Sequence, residues 1–419
     1  MSFKTVSVIG LGYIGLPTAA MFASRKVNVI GVDVSQHVVD TINDGKIHIV
    51  EPELDMIVHA TVSEGYLKAT TTPQNADAYL IAVPTPFKGD HEPDLSYIEA
   101  ASKAIAPVLK NGDLVILEST SPVGATEQMA EWLAEARTDL TFPQQNGEFA
   151  DINIAHCPER VLPGHVVREL VENDRVIGGM TPKCSERACQ LYKIFVEGEC
   201  IITNARTAEM AKLTENSFRD VNIAFANELS IISEKLDINV WELIELANRH
   251  PRVNILQPGA GVGGHCIAVD PWFIVNKTPE EARLIHTARQ VNDYKPAWVV
   301  ERVNRAVELI CGEQNKSIKE IKIACYGLAF KPDIDDLRES PALQIVKCLS
   351  ALYPDNLVIS EPNIEKLPED LCQHIKSEYD GNEIAADIHV FLVAHKQYKA
   401  FSRKSFKLNT QIVDVVGLF

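Results

Sequence analysis

The segment GLGYIG, residues 10–15, is the feature that most constrains what this chain can fold into. It follows the apolar stretch TVSVI and precedes LPTAAMFASRK, so it predicts a tight turn between a strand and a helix. In such a turn Gly10 permits the sharp bend, Gly12 lets backbone approach a pyrophosphate, and Gly15 allows close helix–strand packing. Asp33 ends the next predicted strand about 20 residues on, where a carboxylate accepts hydrogen bonds from a ribose and repels a 2′-phosphate. The sequence therefore favours NAD over NADP, the alternative being an ordinary βα turn.

Strand and helix patterns alternate from this turn to about residue 200. VNVIGVD, AYLIAVPTP and DLVILEST are near-continuous apolar strands, and a helix is expected near Ser96 to Leu109. Strands that are apolar throughout and alternate with helices are typical of a parallel sheet covered on both faces. The sequence therefore predicts an α/β fold with a doubly wound parallel sheet.

The pattern changes after this first part of the chain. Residues 207–236 form one long predicted helix that is apolar nearly all round, which indicates a buried spine between domains. A helical region follows to about Val307, and NKSIKEI is expected as a linker or turn. A second α/β unit then contains IKIACYGLAF, SPALQIVKCLSAL, NLVIS, IHVFLVA and TQIVDVV. We therefore expect two Rossmann-like doubly wound domains, 1–203 and 311–419, joined by a central helical domain, 204–310.

Composition and charge argue against several classes of function. The net charge of −17 repels polyanions such as nucleic acid, and no apolar run approaches the ~18 residues of a membrane span. The nine cysteines are scattered without a CxxC pair, which argues against a disulfide framework or a zinc site. The N-terminus lacks a signal-peptide pattern. We expect a cytoplasmic protein with no metal, nucleic-acid or membrane partner.

Polar side chains interrupt the long predicted helix. Lys212 and Asn216 are four residues apart and so share one face, and Asn227 lies close to the same stripe. Polar groups inside an apolar helix are costly unless they are paired or functional. An ammonium and an amide side by side would stabilise an oxyanion during hydride transfer. The alternative, which this helix alone leaves open, is an interdomain hydrogen-bond network.

The stretch GGHCIAVDP places Cys266 directly after two glycines and His265, with Asp270 four positions further on. Gly263 and Gly264 would let a ligand approach the backbone closely. If a helical turn starts here, its N-terminus would favour the thiolate, although Pro271 argues against a long helix through Asp270. From these residues alone a catalytic thiol and a structural thiol both stay open.

Six segments together resemble one family of enzymes. GLGYIG, IAVPTP, ESTSPVGAT, CPERVLPG, AEMAKLTENS and GGHCIAVD are similar, in this order and over essentially the whole chain, to the UDP-sugar 6-dehydrogenases. That family oxidises a sugar's primary alcohol to a carboxylate with NAD, in two hydride transfers. RHPRVNILQPGAGVGGHCIAVDPWFIV is most similar to the branch acting on UDP-N-acetyl-D-mannosamine, and His265 stands where the UDP-glucose branch has Ser. The resemblance implies a role in making a cell-surface polysaccharide such as enterobacterial common antigen, with UDP-N-acetylglucosamine and UDP-glucose as alternative substrates.

The resemblance also implies catalytic roles. Cys266 resembles the nucleophile that holds the aldehyde as a thiohemiacetal, whose oxidation yields a thioester that water cleaves. Other residues resemble the family's groups that stabilise oxyanions or position water during these steps: Lys212, Asn216, Asp270, Glu159 and Thr120. Which carboxylate is the general base stays open.

The same resemblance assigns residues to the two nucleotides and a subunit partner. Those expected along NAD are Gly10, Gly12, Tyr13, Ile14, Gly15, Asp33, Thr85, Thr126 and Arg338. Those expected around the UDP-sugar are Arg160, Val161, Lys212, Asn216, Arg219, His250, Arg252, Gly263, Phe330 and Lys331. Arg252 is expected to reach the sugar from a neighbouring subunit, because the spine helix is a dimer interface in this family. At least a homodimer is thus expected.

The second α/β unit carries GLAFKPDIDDLRESP in place of a glycine-rich turn. Its longer loop with Lys331 and Arg338 suits a single nucleotide diphosphate, and ion pairing with the nearby aspartates is the alternative. The chain departs from the family near its end, where Val416 stands close to the position of a usual basic residue. Either another cation substitutes there or nucleotide affinity is weaker.

Other functions fit the residues less well. None of the ten tyrosines is followed four positions later by Lys, which argues against short-chain dehydrogenase chemistry. A two-electron β-hydroxyacid dehydrogenase would have no use for Cys266 or for the C-terminal α/β unit. A catalytically silent sensor of NAD and UDP-sugar would have no use for Cys266, Lys212 and Asn216 together.

Overall fold

The computed structural model describes residues 3–49, 51–161, 164–264, 266–377 and 384–419. These residues form two compact units, the first ending at Glu215 and the second beginning at Asn216. The division falls inside the long helix that the sequence predicts, so this helix belongs to both units.

The first unit is a mixed α/β domain. Its strands are β1 (Thr5–Ile9), β2 (Asn28–Val32), β3 (Leu67–Thr70), β4 (Ala78–Ile81), β5 (Phe87–Lys88), β6 (Glu92–Pro93), β7 (Leu114–Leu117), β8 (Asn153–His156), β9 (Arg175–Gly179) and β10 (Cys200–Asn204). Its helices are α1 (Gly15–Ser24), α2 (Gln36–Asn43), α3 (Leu54–Ser63), α4 (Ser96–Ile105), α5 (Ala125–Ala136), α6 (Pro143–Asn146), α7 (Val166–Glu172) and α8 (Pro182–Tyr192), followed by the start of α9 (Ala205–Lys235).

In the described residues the main sheet of this unit has eight strands, in the order β10-β9-β8-β7-β4-β1-β2-β3. The predicted doubly wound sheet is confirmed, with one difference: β9 runs antiparallel to β8, whereas the other neighbours are parallel. Alternate residues of β4 reach different cores, Leu80 on one face and Tyr79 and Ile81 on the other. Because side chains alternate along a strand, a strand apolar throughout is covered on both faces.

The glycine-rich turn has the conformation that its sequence predicts. Gly10 has φ of 91°, and its N–H donates to Val32 O over 2.8 Å. A Cβ at Gly15 would lie 1.8 Å from Gly10 O, so helix α1 starts too close to the turn for any side chain there. A Cβ at Gly12 would meet no atom within 4 Å. Packing therefore requires Gly15, while Gly12 leaves open space above the turn.

The second unit holds the rest of α9 and a smaller sheet. Its further helices are α10 (Val240–Ala247), α11 (Asp270–Lys277), α12 (Arg283–Gln314) and α13 (Pro341–Leu352). Its strands are β11 (Ile323–Tyr326), β12 (Leu357–Ser360), β13 (Ile375–Lys376), β14 (Ile388–Phe391) and β15 (Gln411–Asp414), all parallel in the order β13-β12-β11-β14-β15. NKSIKEI includes a short 3-10 turn, Ile318–Glu320, after α12 runs further than predicted.

One side of the long helix carries exposed apolar side chains. The sequence predicts a helix that is apolar nearly all round and forms a buried spine between domains, and in the single chain Phe218, Phe225 and Ile232 of α9 are 68%, 50% and 46% exposed. These residues recur every seven positions, so they share one side of the helix. The chain by itself therefore leaves an apolar stripe of α9 uncovered. No helix of the described residues is both long and apolar enough to cross a bilayer.

We predict that Gly15→Ala destabilises the first unit by at least about 3 kcal/mol, the upper end of ordinary overpacking, because the new methyl meets backbone that cannot rotate away. Urea unfolding followed by circular dichroism measures the change. Gly12→Ala is the matched control, since its methyl enters open space. Equal stability of the two variants would contradict the packing argument.

Candidate active site

The predicted ligand residues of the first unit follow the carboxyl ends of five neighbouring strands. Gly10 follows β1, Asp33 follows β2, Thr85 lies after β4, Thr120 after β7 and Glu159 after β8. These five strands are parallel, so their carboxyl ends share one edge of the sheet. Ligands of doubly wound sheets bind at this edge. The fold therefore places residues that are far apart in sequence along one cleft edge.

The turn after β1 and the end of β2 fit a dinucleotide. Asp33 Oδ2 accepts the Leu11 N–H over 3.0 Å and Oδ1 accepts the Ser35 N–H over 2.9 Å, which fixes the carboxylate against the turn. The carboxylate is half-buried, so it keeps a side toward solvent for a ribose. Tyr13 is 41% exposed, and Ile14 precedes the first turn of α1.

The three predicted threonines differ in their surroundings. The Thr85 hydroxyl is buried and has no hydrogen-bond partner among the described residues, which suits a site completed by a ligand. Thr120 is half-buried in the segment after β7. Thr126 is fully buried, and both its N–H and its hydroxyl donate to Glu209 Oε1, over 2.8 and 2.6 Å. Thr126 thus has a structural partner that the sequence did not reveal.

Glu159 belongs to a buried ion pair. Its Oε2 accepts from Arg175 Nη1 over 2.6 Å, and its Oε1 accepts the Arg160 N–H over 2.7 Å. Arg175 is almost fully buried, with its guanidinium 5.1 Å from the centre of the Tyr192 ring. Burial opposes the charge of Arg175, yet Glu159 holds the pKa of this guanidinium above its ordinary value. The geometry therefore fixes the orientation of the Glu159 side chain.

A second carboxyl, Glu118, lies in the same cluster. Tyr192 donates its hydroxyl to Glu118 Oε1 over 2.7 Å, while Oε2 is buried without a partner among the described residues. Burial raises the pKa of Glu118 to about 7, Arg175 opposes this shift, and Glu159 adds to it. Burial also raises the pKa of the Cys157 thiol to about 12, which keeps this thiol protonated and is typical of a structural cysteine.

The two residues after Glu159 lie beside it. Arg160 Nη2 is 2.7 Å from Glu215 Oε1 in α9, and Arg160 Nη1 donates to the Asp174 carbonyl over 3.3 Å. Val161 packs against the apolar core of this unit. Lys212 is half-buried in α9, one turn before Asn216.

In the second unit, Asn216, Cys266 and Asp270 come together. Asn216 Nδ2 donates to Asp270 Oδ2 over 2.5 Å, and both side chains are buried. Helix α11 begins at Asp270, with Pro271 in its first turn, and the Cys266 carbonyl accepts the N–H groups of Val269 and Asp270. Cys266 thus lies in the turn that leads into α11, half-buried, one turn from the carboxylate. As expected from Pro271, no long helix of the described residues runs through Asp270, and the proline lies in the first turn of this eight-residue helix.

The glycines before Cys266 have a different cause from the one expected. A Cβ at Gly263 would lie 2.7 Å from Phe330 Cβ and 2.5 Å from Glu339 O, and one at Gly264 would lie 3.0 Å from the Phe330 ring. Gly264 also has φ of 79°, and its N–H donates to Arg338 O over 3.1 Å. The glycines therefore allow the loop after β11, rather than only a ligand, to approach the backbone.

The remaining predicted residues lie on the surface of this unit. Arg219, His250 and Arg252 are exposed, and the Arg252 N–H donates to His250 Nδ1 over 3.3 Å. Lys331 is half-buried. Arg338 forms a bidentate ion pair with Asp336, over 3.0 and 2.6 Å. This arginine therefore makes the ion pair that the sequence left open as the alternative to a nucleotide contact. His265 lies outside the described residues.

Asn227 is also explained by contacts within the second unit. Its Nδ2 donates to Asn292 Oδ1 and its Oδ1 accepts the Gly259 N–H, both over 2.9 Å. Asn292 in turn donates to Asp220, which is paired with Arg289. Asn227 thus secures the backbone ahead of the cysteine stretch.

Sequence reasoning missed Glu118, Arg175 and Glu209. Glu118 had a usable signal, since it directly follows a strand that is buried throughout. Arg175 and Glu209 had none, because their partners are 16 and 83 residues away. All nine cysteines are free, and among the described residues no group of three or more acids, histidines and cysteines is placed to hold a metal ion.

The chain was compared with known proteins. Residues 4–196, 206–294 and 324–418 match the NAD binding domain, the central domain and the UDP binding domain of the UDP-glucose/GDP-mannose dehydrogenase family. A Yersinia pestis protein named UDP-N-acetyl-D-mannosamine dehydrogenase is 67% identical over 100% of both chains. An NDP-N-acetyl-D-galactosaminuronic acid dehydrogenase from Ralstonia nicotianae is 61% identical over 100% of this chain and 97% of that one. A solved UDP-D-ManNAc dehydrogenase from Pyrococcus horikoshii has a TM-score of 0.88 at 40% identity, covering 99% of this chain and 96% of that chain.

We predict that Glu118 makes the stability of the first unit depend on pH. Its pKa is raised in the folded state, so the folded chain keeps a proton that the unfolded chain releases between about pH 4.5 and 7. The stabilisation is complete below this window and is lost as the pH rises through it. Urea unfolding across this range should therefore show wild type losing stability relative to Glu118→Gln, which cannot ionise. Parallel curves for the two proteins would contradict this.

Proposed function

Because the chain belongs to the UDP-glucose/GDP-mannose dehydrogenase family, we propose that it oxidises UDP-N-acetyl-D-mannosamine to the corresponding uronate for a cell-surface polysaccharide. It is an oxidoreductase of that family, and its cofactor is NAD. The names of relatives at 64% to 68% identity support N-acetylmannosamine as the sugar. The name of the Ralstonia relative makes an N-acetylgalactosamine sugar the competing substrate. We assign the reaction to the cytoplasm, where NAD and nucleotide sugars are available.

The observation that carries the proposed mechanism is the arrangement of Cys266, Asp270 and Asn216. A half-buried thiol lies in the turn that leads to a buried carboxylate, which an amide holds in place. An amide nitrogen carries two protons, so Asn216 can hold Asp270 with one and donate the other to substrate. This set suits an acyl-transfer step, because it supplies a nucleophile, an oxyanion donor and a base for water.

The chemistry proceeds in four steps. NAD would supply one hydride acceptor for each of the two oxidations, with a second NAD replacing the first NADH between them. The sugar alcohol loses a hydride and a proton to become an aldehyde, and the Cys266 thiolate then adds to its carbonyl carbon to form a thiohemiacetal, which takes up a proton. Loss of a second hydride and of that proton yields a thioester. Water attacks the thioester carbon, the carbon–sulfur bond breaks, and the Cys266 thiolate returns with release of a carboxylate.

Individual residues have the following proposed roles. Lys212 and Asn216 stabilise the oxyanions of these steps, and Asp270 takes the proton of the attacking water. Glu159 assists thioester hydrolysis, and its bond to Arg175 fixes its orientation. Thr120 lies near the nicotinamide. Cys266 is suited to hold the aldehyde because a covalent bond prevents its escape.

Two further sets of residues bind the nucleotides. We propose that NAD lies along the turn after β1 and the edge of the first sheet, contacting Gly10, Gly12, Tyr13, Ile14, Gly15, Asp33, Thr85 and Thr126, with Arg338. We propose that the UDP-sugar contacts Arg160, Val161, Arg219, His250, Arg252, Gly263, Phe330 and Lys331. The match of residues 324–418 to a UDP binding domain supports the assignment of the last two residues to UDP. The three functional parts are then residues 1–203, 204–310 and 311–419.

We predict that the protein releases about two NADH per molecule of UDP-N-acetyl-D-mannosamine consumed, because each oxidation passes one hydride to NAD. Absorbance at the NADH band, with the sugar nucleotides quantified by chromatography, measures the ratio. A ratio of one with released aldehyde or ketone would contradict the covalent mechanism. A panel with the UDP derivatives of N-acetylgalactosamine, N-acetylglucosamine and glucose identifies the preferred sugar.

Cys266→Ser should reduce steady-state turnover by more than about a thousandfold, because a hydroxyl is a far weaker nucleophile than a thiolate. Cys348→Ser is the matched control, since Cys348 is exposed on α13. Unchanged turnover of the Cys266 variant would remove this residue from the mechanism.

We further propose that the exposed stripe of α9, defined by Phe218, Phe225 and Ile232, is covered by a second copy of this chain. Contiguous exposed apolar side chains are typical of interaction sites, and a helix side with a seven-residue repeat can pack against its own copy. The same proposal accounts for Arg252, which would reach the sugar of the neighbouring subunit.

We predict that wild type sediments as at least a dimer and that Phe218→Glu with Phe225→Glu sediments as a monomer, because the charges cannot be buried in a self-association interface. Sedimentation velocity measures the mass. Leu352→Glu, which places the same charge at an exposed apolar position of α13, should leave the mass unchanged. A monomeric wild type would overturn the proposal.

A further inference from the structure

The loop between β11 and α13, residues 327–340, carries Phe330, Lys331 and Arg338 and borders the cysteine stretch. Phe330 packs against Gly263 and Gly264, and the Arg338 carbonyl accepts the Gly264 N–H. We call this segment the nucleotide loop. Its backbone therefore shapes both the proposed UDP contacts and the approach to Cys266.

One end of the nucleotide loop is held by Glu361, the residue directly after β12. Its Oε2 accepts the N–H groups of Leu328 and Ala329, over 2.7 and 3.1 Å, and its Oε1 accepts the Asn363 N–H over 3.0 Å. The carboxylate is fully buried. It thus fixes the loop just ahead of Phe330 and Lys331.

The part of the nucleotide loop that follows Phe330 and Lys331 is held by His395. The Asp333 N–H donates to His395 Nδ1 over 2.9 Å, so Nδ1 is the unprotonated nitrogen of the ring. His395 Nε2, which then carries the hydrogen, lies 3.0 Å from Glu361 Oε2 and donates to it. The ring is fully buried. One hydrogen-bonded chain therefore runs from Asp333 through His395 and Glu361 to Leu328.

The conformation of Asp333 shows why this support is needed. Asp333 has φ of 62°, in the left-handed region that side chains other than glycine rarely adopt. Such a residue keeps its conformation only when its neighbours hold it. Besides the bond to His395, the Asp333 carboxylate accepts the Lys396 N–H over 2.9 Å. The bend after Lys331 thus depends on residues 395 and 396.

We propose that His395 and Glu361 are positioning residues for UDP binding: they clamp the nucleotide loop on both sides of Phe330 and Lys331 and so hold these two side chains in the orientation that meets the nucleotide. Neither residue is proposed to touch the ligand. This inference rests on the proposed function, in which the loop binds UDP. It adds residues that lie 30 or more positions from the loop's Phe330 and Lys331.

The test measures UDP binding by isothermal titration calorimetry with the full chain. His395→Ala should weaken UDP binding about tenfold, because the Asp333 N–H loses its acceptor and the bend relaxes. His374→Ala is the matched control: His374 is also buried in the second unit, but its Nε2 bonds Ser350, in α13 rather than in the loop.

Two further variants separate positioning from loss of folding. An Asn amide oxygen reaches roughly the place of Nδ1, so His395→Asn should keep the Asp333 bond and retain most of the UDP affinity. A Gln amide reaches roughly the place of Nε2, so His395→Gln should keep only the Glu361 bond and bind UDP more weakly than His395→Asn. This order can be measured even if His395→Ala does not fold.

The outcomes distinguish this inference from the proposed function. If wild type binds UDP and the His395 variants bind it as tightly as His374→Ala does, the positioning role is wrong and the proposed function stands. If wild type itself binds no UDP, the proposed function fails and the inference fails with it. Equal affinity of His395→Asn and His395→Gln would also overturn the inference.

Discussion

In each of the two sheets, a carboxylate at the end of the second strand holds the turn that follows the first strand. Asp33 accepts the Leu11 N–H in the first unit, and Glu361 accepts the Leu328 and Ala329 N–H groups in the second. The same backbone bond accompanies both, from Gly10 N to Val32 O and from Gly327 N to Ser360 O, each 2.8 Å. Backbone N–H groups at such a turn need acceptors. The loops that carry the proposed ligand contacts depend on these two carboxylates.

The two carboxylates differ in what else they can reach. Asp33 is half-buried beside a turn where Gly12 leaves open space, so it can still accept bonds from a ribose. Glu361 is fully buried and accepts a hydrogen bond from His395, so its hydrogen-bonding capacity is used within the protein. One local arrangement therefore supports a dinucleotide turn in the first unit and a pre-shaped loop for a shorter nucleotide in the second.

Much of the fold could be predicted from the sequence. The apolar strands and the long helix follow from the local pattern of apolar residues, and the turn follows from its glycines. The structure confirms each of them. The order of the residues around Cys266 was equally readable, and the structure places Asn216 against Asp270 beside it. The reversed direction of β9 and β10 could not be predicted, because strand direction depends on packing and not on the strand's own residues.

Side-chain partners that lie far apart in sequence could not be predicted either, because they too depend on packing. The sequence by itself determined the glycine turn, the acid after the second strand and the four-residue spacings of Lys212 from Asn216 and of Cys266 from Asp270, since these follow from chain geometry over a few residues. Only the tertiary structure decided that Arg175 fixes Glu159, that His395 clamps Asp333, and that one side of α9 stays exposed. Those outcomes depend on which groups meet in the folded chain. A buried charge or N–H group is costly without a partner, and only tertiary packing decides which partner lies within reach.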